Sequence, residues 1–364
     1  MNLYFWHNII SPHQAPFMRE LASSGHKVTV VTAEAMSETR HQMGWNVPSL
    51  GKAQIVLGPD EKEVIRIVNS STPDSIHFIA GARGIPLGKQ VAQACRKSPR
   101  RMGIITESPD PRGFRGFLRR VKYTAERVFM GRHFDFILAM GQKGFNWFKL
   151  CGYKDSFIFP FAYVTDRLGN ASKNETGTTF RFVFVGQLIP RKGVDFLLHA
   201  LAQIPDCELV VIGDGVDRES LQKLALESGI GKRVIWLGKM DLEHIQNQVF
   251  IADILVLPSR EDGWGAVVNE SLMVGTPVIC SNACGAAELI RHSWLGTVFP
   301  SGNIATLAEA MTQWCAQGKI LPEQRQRIQN WAQCIEAPSI AKYVEEVTAH
   351  VYEQHPRPQV PWRS

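Results

Sequence analysis

The sequence of 364 residues lacks several features that mark specialised classes of protein. It has no run of 18 or more apolar residues, which argues against a membrane-spanning helix. The first residues, MNLYFWHNIISPH, lack the basic segment and the long apolar stretch of a signal peptide, and they are typical of a β-strand. Neither a repeat of solenoid period nor a low-complexity tract is present.

Cysteine is scarce and follows no metal-binding pattern. The seven cysteines include no Cys-x-x-Cys pair. Cys280 and Cys284 are four positions apart, but neither a second pair nor a nearby histidine cluster completes a zinc site. We therefore predict reduced, mostly buried cysteines and a cytoplasmic protein.

The composition is that of a globular α/β protein, with 45% hydrophobic and 20% charged residues, and the length suggests two domains. The net charge of +6 is unevenly distributed. Residues 1–168 carry 23 basic against 13 acidic side chains, whereas the remainder carries 17 against 21. The first half is thus the one suited to an anionic surface or acceptor.

Short apolar runs alternate with helical stretches in both halves of the chain, which predicts two parallel sheets covered by helices. The predicted domains are 1–163 and 180–336, joined by a polar linker at 164–179. A final helix at about 337–353 is expected to cross back onto the first domain. The predicted strands are Leu3–Trp6, Val28–Thr32, Ser75–Ala80, Met102–Thr106, Phe136–Met140, Phe180–Val185, Glu208–Gly213, Val234–Leu237, Ile254–Pro258 and Pro277–Cys280.

The most informative motif is the segment PSREDGWGAVVNESLMVGTPVI, which starts at Pro258. A hydrophobic strand ends there, an acidic loop with Gly263 and Gly265 follows, and a helix is predicted to open near Ala266. Ligands of open α/β sheets bind at the carboxyl ends of strands, where this loop lies. The N–H groups at the predicted helix start form a candidate phosphate site, and they belong to Ala266, Val267 and Val268.

Two carboxylates flank this phosphate site. Asp262 lies on the loop and Glu270 on the second turn of the predicted helix, eight positions later. Carboxylates beside a phosphate site can accept hydrogen bonds from sugar hydroxyls. The alternative is that Glu270 is a solvated helix residue and that the glycines form only a turn.

A second motif, FVGQLIPRKG, ends a strand at Gly186 and places Arg191 and Lys192 before the next helix. Two cations near the carboxyl end of a strand suit a diphosphate leaving group. The alternative is a solvated helix start.

Together these motifs resemble the retaining GT-B glycosyltransferases of family 4, in which two acidic residues separated by seven follow such a loop. The resemblance covers nearly all of residues 180–315. It implies that Glu270 holds the ribose of a nucleotide, and that Asp262 and the backbone after it hold the transferred sugar and the diphosphate. Glu261 precedes the in-register Asp262, so which of the two carboxylates meets the donor sugar stays open.

The resemblance also gives roles to other residues of the second half. Lys192 matches the cation that the family places before the last glycine of the second motif. Gln187 stands where the family has an arginine, and Arg191 is a candidate replacement. Gly213 ends another strand, and Met240 occupies a position that lies beside the nucleobase in the family.

Candidate acceptor residues lie in the first half, where the pattern is less specific. His13, in the loop after the first strand, is a candidate contact to acceptor or diphosphate, or else a plain loop histidine. Glu107 follows the strand Met102–Thr106 and can hydrogen-bond the donor sugar or the acceptor hydroxyl, or else cap the loop. His77, inside an apolar strand, is predicted to be a core histidine.

Residues 112–122, RGFRGFLRRVK, combine five cations with apolar side chains at helical spacing. A basic amphipathic helix of this kind suits an anionic membrane surface, and a solvated helix face is the alternative. Nucleic-acid binding fits poorly, because no recognition motif accompanies the charge.

The sequence thus predicts an α/β protein of the GT-B type, with two Rossmann-like domains facing across a cleft. The predicted function is transfer of a sugar from a nucleotide-diphosphate sugar to an acceptor, with retained configuration. A lipid-linked saccharide of bacterial surface polysaccharide is the favoured acceptor, and the membrane's inner face the expected place of action. No Asp-x-Asp motif is present, so no metal or other cofactor is expected. The alternatives are a sugar-nucleotide epimerase and a noncatalytic nucleotide-sugar-binding protein.

Overall fold

The computed structural model describes residues 1–42, 45–81, 86–130, 134–167, 177 and 179–363. The chain divides into two compact units. The first unit comprises Met1–Thr165 and Cys334–Ser364, and the second comprises Asp166–Gln333.

The first unit is built on a parallel sheet with the strand order β3-β2-β1-β4-β5-β6-β7. Its strands are β1 Asn2–His7, β2 Lys27–Thr32, β3 Gln54–Leu57, β4 Ile76–Ala80, β5 Arg101–Thr106, β6 Phe136–Met140 and β7 Ile158–Phe161. The helices between them are α1 Ala15–Ser23, α2 Glu38–Gln42, α3 Glu61–Ser70, α4 Pro86–Lys97, α5 Gly113–Met130 and α6 Gly141–Leu150.

The second unit is built on another parallel sheet, with the order β10-β9-β8-β11-β12-β13. Its strands are β8 Phe180–Val185, β9 Cys207–Ile212, β10 Val234–Gly238, β11 Ile254–Leu257, β12 Val278–Ser281 and β13 Gly296–Phe299. Its helices are α7 Val194–Leu201, α8 Arg218–Glu227, α9 Leu242–Ile251, α10 Val267–Met273, α11 Ile304–Gln317 and α12 Pro322–Ala332. The two parallel α/β sheets confirm the predicted fold class.

The last helix, α13 Ala337–Glu353, belongs to the first unit although it follows the second in sequence. Its apolar side, including Ile340, Tyr343 and Val347, is buried. Near its end, the hydroxyl of Tyr352 donates a 2.8 Å hydrogen bond to the carboxylate of Asp135. Burial of this apolar stripe accounts for the attachment of the helix to the first unit.

The sequence prediction missed the strands β3, β7 and β13, and each of them lies at an edge of its sheet. Strands β3 and β13 have only four residues each and are partly exposed, which leaves a short and weak apolar pattern. Ile55 and Leu57 of β3 are about half exposed. Strand β7 contains Pro160, a residue that sheets tolerate at their edges.

The predicted linker at 164–179 lies mostly outside the described residues. Its first two residues are buried, and the division between the units falls between Thr165 and Asp166. The backbone N–H of Val164 donates to the carbonyl of His13, which ties the chain to the first unit up to this point.

Aromatic packing fills the centre of the first sheet. Phe5 stacks on Phe78 with ring centroids 4.6 Å apart, and Phe17 of α1 meets Phe5 edge-on. His77 is fully buried among these strands and accepts a 3.0 Å hydrogen bond from the indole of Trp6. Burial lowers the pKa of His77 to about 3, so it is a neutral core histidine, as predicted.

Candidate functional site

The predicted donor-binding residues lie at the carboxyl edge of the second sheet. Strands β8 and β11 are neighbours there, and the sheet is extended in opposite directions from them, by β9 and β10 on one side and by β12 and β13 on the other. Such a switch point opens a crevice at the carboxyl ends of the strands, where ligands of open α/β sheets bind. The loop after β8 carries Lys192, and the loop after β11 carries Asp262.

An ion pair joins the two predicted motifs at this point. Lys192 Nζ lies 2.5 Å from Asp262 Oδ2, and both side chains are largely buried. Arg191 Nη1 lies 3.6 Å from the other oxygen of Asp262, and it donates a 2.9 Å hydrogen bond to the carbonyl of Glu261. The structure therefore brings together both predicted cations and the in-register carboxylate.

A second ion pair, which the sequence reasoning missed, holds the same two loops together. Arg260 donates hydrogen bonds of 2.8 and 2.6 Å to the two carboxylate oxygens of Asp195, at the start of α7. It also donates to the carbonyl of Pro190 at 2.7 Å, and its guanidinium stacks 3.8 Å from the ring centroid of Phe196. Its backbone N–H donates to the carbonyl of Arg191. The local sequence offers no signal for this pairing, because the partners lie 65 positions apart.

Glycines allow the backbones of the motif loops to touch. Gly193 has a φ of +67°, and a Cβ atom there would lie 2.4 Å from the carbonyl oxygen of Pro258. A Cβ atom at Gly213 would lie 1.9 Å from the carbonyl oxygen of Gly186. Any side chain at either position would push neighbouring strand ends apart.

The loop after β11 is paired with the loop after β12. The carbonyl of Asp262 accepts a hydrogen bond from the N–H of Gly285, and the N–H of Asp262 donates a hydrogen bond to the carbonyl of Ala283. The buried Trp264 donates its indole N–H to Asn269 at 2.8 Å, which ties Gly263 and its neighbours to α10. The carboxylate of Asp262 is therefore presented from a fixed backbone.

One of the three predicted phosphate-binding N–H groups is not available. The N–H of Val268 donates a 3.0 Å hydrogen bond to the carbonyl of Gly265, because Gly265, with a φ of +92°, turns the chain tightly into α10. The helix also begins at Val267, one residue later than predicted. The N–H groups of Ala266 and Val267 remain candidate phosphate donors, whereas the N–H of Val268 is already bonded within the chain.

Glu270 lies in the first turn of α10 and is 8% exposed. Burial raises the pKa of this carboxyl to about 7, because removing the charged form from water is costly. Met240, just after β10, is half-buried, and Gly238 accepts the N–H of Gly213 at the same edge of the sheet. The predicted donor residues thus share one edge of one sheet.

The first unit presents a cluster of polar and aromatic side chains at the carboxyl edge of its own sheet. Tyr163, just after β7, donates a 2.5 Å hydrogen bond to a carboxylate oxygen of Glu107, just after β5. The ring of His13 lies 5.4 Å from the ring of Tyr163 and meets Trp45 edge-on at 4.8 Å. Arg40 stacks over Trp45 at 4.4 Å. Sequence reasoning identified His13 and Glu107 but not their aromatic neighbours.

The protonation state of His13 follows from its surroundings. Burial, and in second place the positive charge of Arg40, lower the pKa of His13 to about 4, so the ring is neutral at pH 7. Within the described part of the chain, its buried Nδ1 finds no hydrogen-bond partner. A neutral imidazole carries no charge with which to attract an anion, so the ring is better suited to hydrogen bonding or packing against an uncharged ligand.

The predicted basic helix is α5, and its apolar side faces solvent. Phe114 is 75% exposed, and Phe117, Leu118 and Val121 are at least half exposed. Their spacing places all four on one side of the helix. Arg119 donates to the carbonyl of Asp110, which anchors the start of the helix to the preceding loop. No helix among the described residues is both long and apolar enough to cross a bilayer.

Residues 169–333 match the family described as Glycosyl transferases group 1. Among curated proteins, the chain is similar to an alpha-D-kanosaminyltransferase of Streptomyces kanamyceticus, with 30% identity over 150 residues. That alignment covers 40% of this chain, and the chain spans only 38% of the length of that relative.

Solved structures cover almost the whole chain. HepE of Anabaena, crystallised in complex with UDP, has a TM-score of 0.74 and 17% identity, covering 96% of this chain and 100% of its own. The lipopolysaccharide outer core galactosyltransferase WaaB has a TM-score of 0.71 and 17% identity, covering 98% of this chain and 100% of its own. At this identity the structures show the fold. The expected resemblance to GT-B glycosyltransferases is confirmed.

Proposed function

We propose that the protein transfers a sugar from a nucleotide-diphosphate sugar to an acceptor hydroxyl, with retained anomeric configuration, because residues 169–333 match the family described as Glycosyl transferases group 1. The observation that carries this proposal is the meeting of Lys192, Arg191 and Asp262 at the switch point of the second sheet. Cations beside a carboxylate at this edge match the two halves of such a donor, a diphosphate and a hydroxyl-rich sugar.

The donor is proposed to lie along the carboxyl edge of the second unit. Lys192 and Arg191 bind the diphosphate, with the N–H groups of Ala266 and Val267 as further donors. Glu270 accepts hydrogen bonds from the ribose, and Asp262 accepts them from the transferred sugar. The UDP bound by HepE supports a nucleotide ligand for this fold.

The chemical step breaks the bond between the anomeric carbon and the diphosphate oxygen, which leaves with the bonding electron pair. The acceptor oxygen forms the new bond to that carbon on the same face, which retains the configuration, and the hydroxyl proton passes to the departing diphosphate oxygen. Negative charge grows on the leaving diphosphate, and the fixed ammonium group of Lys192 stabilises it. Arg191 adds a second positive charge at the same place. We expect these two side chains to suffice, so that transfer proceeds in the presence of a metal chelator.

The acceptor is proposed to bind the first unit, through His13 and Glu107. The hydrogen bond from Tyr163 occupies one oxygen of Glu107 and orients its carboxylate. The other oxygen can accept a hydrogen bond from the reacting hydroxyl. A neutral His13 suits an uncharged saccharide better than it suits an anion.

A lipid-linked saccharide acceptor fits the exposed side of α5. Four apolar side chains face solvent there, on a helix that also carries Arg115, Arg119, Arg120 and Lys122. Such a surface binds the interface of an anionic membrane through apolar burial and electrostatic attraction. The lipopolysaccharide role of WaaB supports an acceptor of this kind, and hence action at the inner face of a membrane in bacterial surface polysaccharide assembly.

The proposed activity is tested by incubating the protein with a panel of nucleotide-diphosphate sugars and measuring nucleoside diphosphate release, with and without membrane-lipid extract. A transferase gives release that requires both one donor and the acceptor extract. Conversion of the sugar nucleotide without nucleoside diphosphate release would indicate an epimerase. Tight binding of a sugar nucleotide with no reaction under any condition would indicate a binding protein.

A further inference from the structure

We propose that Asp262 competes with the diphosphate for Lys192 and Arg191, and that it thereby makes the site prefer the sugar-bearing donor over the free nucleoside diphosphate. This inference rests on the proposed function and deepens it. It assigns to Asp262 a role in specificity and product release, in addition to contact with the transferred sugar.

Both cations proposed to bind the diphosphate are already close to a carboxylate. In the ligand-free chain, Lys192 Nζ contacts Asp262 Oδ2, and Arg191 Nη1 lies 3.6 Å from Asp262 Oδ1. The two cations proposed to bind the diphosphate are thus already neutralised in part by a carboxylate. A phosphate oxygen that binds Lys192 must share it with Asp262 or displace it.

The backbone that carries the carboxylate of Asp262 is held in place by its neighbours. The backbone of Asp262 is bonded on both sides to the loop after β12, at Ala283 and Gly285. On the other side of the pair, Lys192 is followed by Gly193, which packs against Pro258. These contacts hold the backbone on both sides of the pair, so the carboxylate is presented close to the place where the diphosphate is proposed to bind.

The position of Asp262 affects the binding free energy of the free nucleoside diphosphate and of the sugar nucleotide differently. A free nucleoside diphosphate brings two or more negative charges next to Asp262, and like charges at such distances destabilise a partly buried complex. In the sugar-bearing donor the sugar esterifies the terminal phosphate, which removes one ionisable oxygen and weakens the repulsion. Its sugar hydroxyls also donate hydrogen bonds to the carboxylate, which compensate for the repulsion that remains. Specificity then comes from penalising the ligand that lacks the sugar.

The matching experiment is calorimetric titration of the wild type and Asp262→Asn with UDP, GDP and ADP, and with the glucose derivatives of these nucleotides. For the nucleotide that the wild type recognises, we expect Asp262→Asn to bind the free diphosphate about tenfold more tightly, as expected for removal of a close like charge. Binding of the sugar nucleotide should be unchanged or weaker, so the preference for the donor is lost. Thermal melting of each variant checks that it is folded.

Glu227→Gln is the control, because it removes an equal charge from an exposed carboxylate at the end of α8 in the same unit. We expect its affinity for the free diphosphate to stay within about twofold of the wild type. A Lys192→Met background provides a second test that does not depend on the stability of one variant. There, Asp262→Asn should no longer tighten binding to the same extent, since the shared cation is gone.

The inference is overturned if Asp262→Asn weakens binding of the free diphosphate, or if Glu227→Gln tightens it equally. It is also overturned if Asp262→Asn has the same effect with and without Lys192. If the wild type binds sugar nucleotides and Asp262→Asn gives one of these contrary results, the inference fails but the proposed function stands. Absence of binding of every nucleotide to the wild type would overturn both.

Discussion

Arg260 and Asp195 form a two-pronged hydrogen-bonded ion pair that joins the loop after β11 to the start of α7. The same arginine reaches the carbonyl of Pro190, at the head of the turn that carries Arg191 and Lys192. Arg260 lies within the motif that starts at Pro258 but was given no role there, and Asp195 lies outside both motifs. Their pairing sets the distance between the two loops on which the proposed donor site depends.

We expect Arg260→Ala to lower kcat/KM for the donor by about tenfold or more, because charge-assisted hydrogen bonds of this kind contribute on the order of 1.5 to 3 kcal/mol. Arg260→Lys should recover part of the loss, since a lysine keeps the charge but not the planar fork. Lys223→Ala, which removes an exposed ion pair on α8 of the same unit, is the control and should change nothing measurable. Steady-state kinetics with full activity in Arg260→Ala would contradict the positioning role.

Glu270 gives donor binding a pH dependence. Burial raises the pKa of its carboxyl to about 7 in the ligand-free protein, whereas ribose hydroxyls donate to the ionised form. The affinity for a sugar nucleotide should therefore fall as the pH drops below 7, by up to about tenfold per pH unit.

Titrations at pH 6 and pH 8 check this, with Glu270→Gln as the isosteric variant that cannot ionise. That variant should bind the donor more weakly at pH 8 and show no such dependence. The same pH dependence in Glu270→Gln would assign it to another group.

The contact between Tyr163 and Glu107 predicts a kinetic effect confined to the acceptor side. Tyr163→Phe keeps the ring but removes the hydrogen bond to the carboxylate. We expect transfer to fall about tenfold, the size of one charge-assisted hydrogen bond, while calorimetric donor affinity is unchanged. Tyr123→Phe, in the aromatic cluster beside Trp147, is the matched control. An equal loss of donor affinity in Tyr163→Phe would argue against an acceptor role.

The exposed side of α5 predicts membrane binding that depends on lipid charge. Co-sedimentation with vesicles should be stronger for a mixture of phosphatidylcholine and phosphatidylglycerol than for phosphatidylcholine alone, since each surface cation contributes about 1 kcal/mol. Phe114→Ser with Phe117→Ser should abolish most of the binding.

Leu226→Ser is the control for this experiment, because Leu226 is 72% exposed on the second unit and lies on α8. Equal binding of wild type and the double α5 variant would show that this helix is not the contact surface.

Three histidines with lowered pKa values, His7, His13 and His77, should make the first unit sensitive to acid. His7 and His77 are at most 4% exposed, and burial lowers their pKa values to about 4 and about 3, below the usual 6.5. As the pH falls below 6.5, the unfolded chain takes up protons that the folded chain does not. Each histidine then removes about 1.4 kcal/mol of unfolding free energy per pH unit, until the pH reaches its folded pKa.

Glu270, in the second unit, acts in the opposite direction. Its raised pKa means that the folded chain takes up a proton first as the pH falls from about 7 to 4.5, which stabilises that unit. Denaturant unfolding at pH 7 and pH 5 should thus show the first unit losing stability relative to the second. His77→Gln should reduce the difference, and equal acid sensitivity of the two units would contradict the assignment.

The amino-acid sequence by itself determined the two parallel sheets and the meeting of the donor motifs. Central strands are buried on both faces and are therefore apolar runs that can be recognised, and parallel strands bring their carboxyl ends to one edge. The convergence of Lys192 and Asp262 could be predicted for that reason. The strands β3 and β13 could not, because they combine a length of only four residues with partial exposure, which leaves too short an apolar pattern to recognise.

The tertiary structure alone decided which side chains meet across the loops. Arg260 and Asp195 are 65 positions apart, and Tyr163 and Glu107 are 56 apart, so neither contact leaves a periodic or local trace in the sequence. The loss of the Val268 N–H to Gly265 also depends on the turn geometry. Local patterns encode which elements form, whereas the distances between loop side chains follow only from how those elements pack.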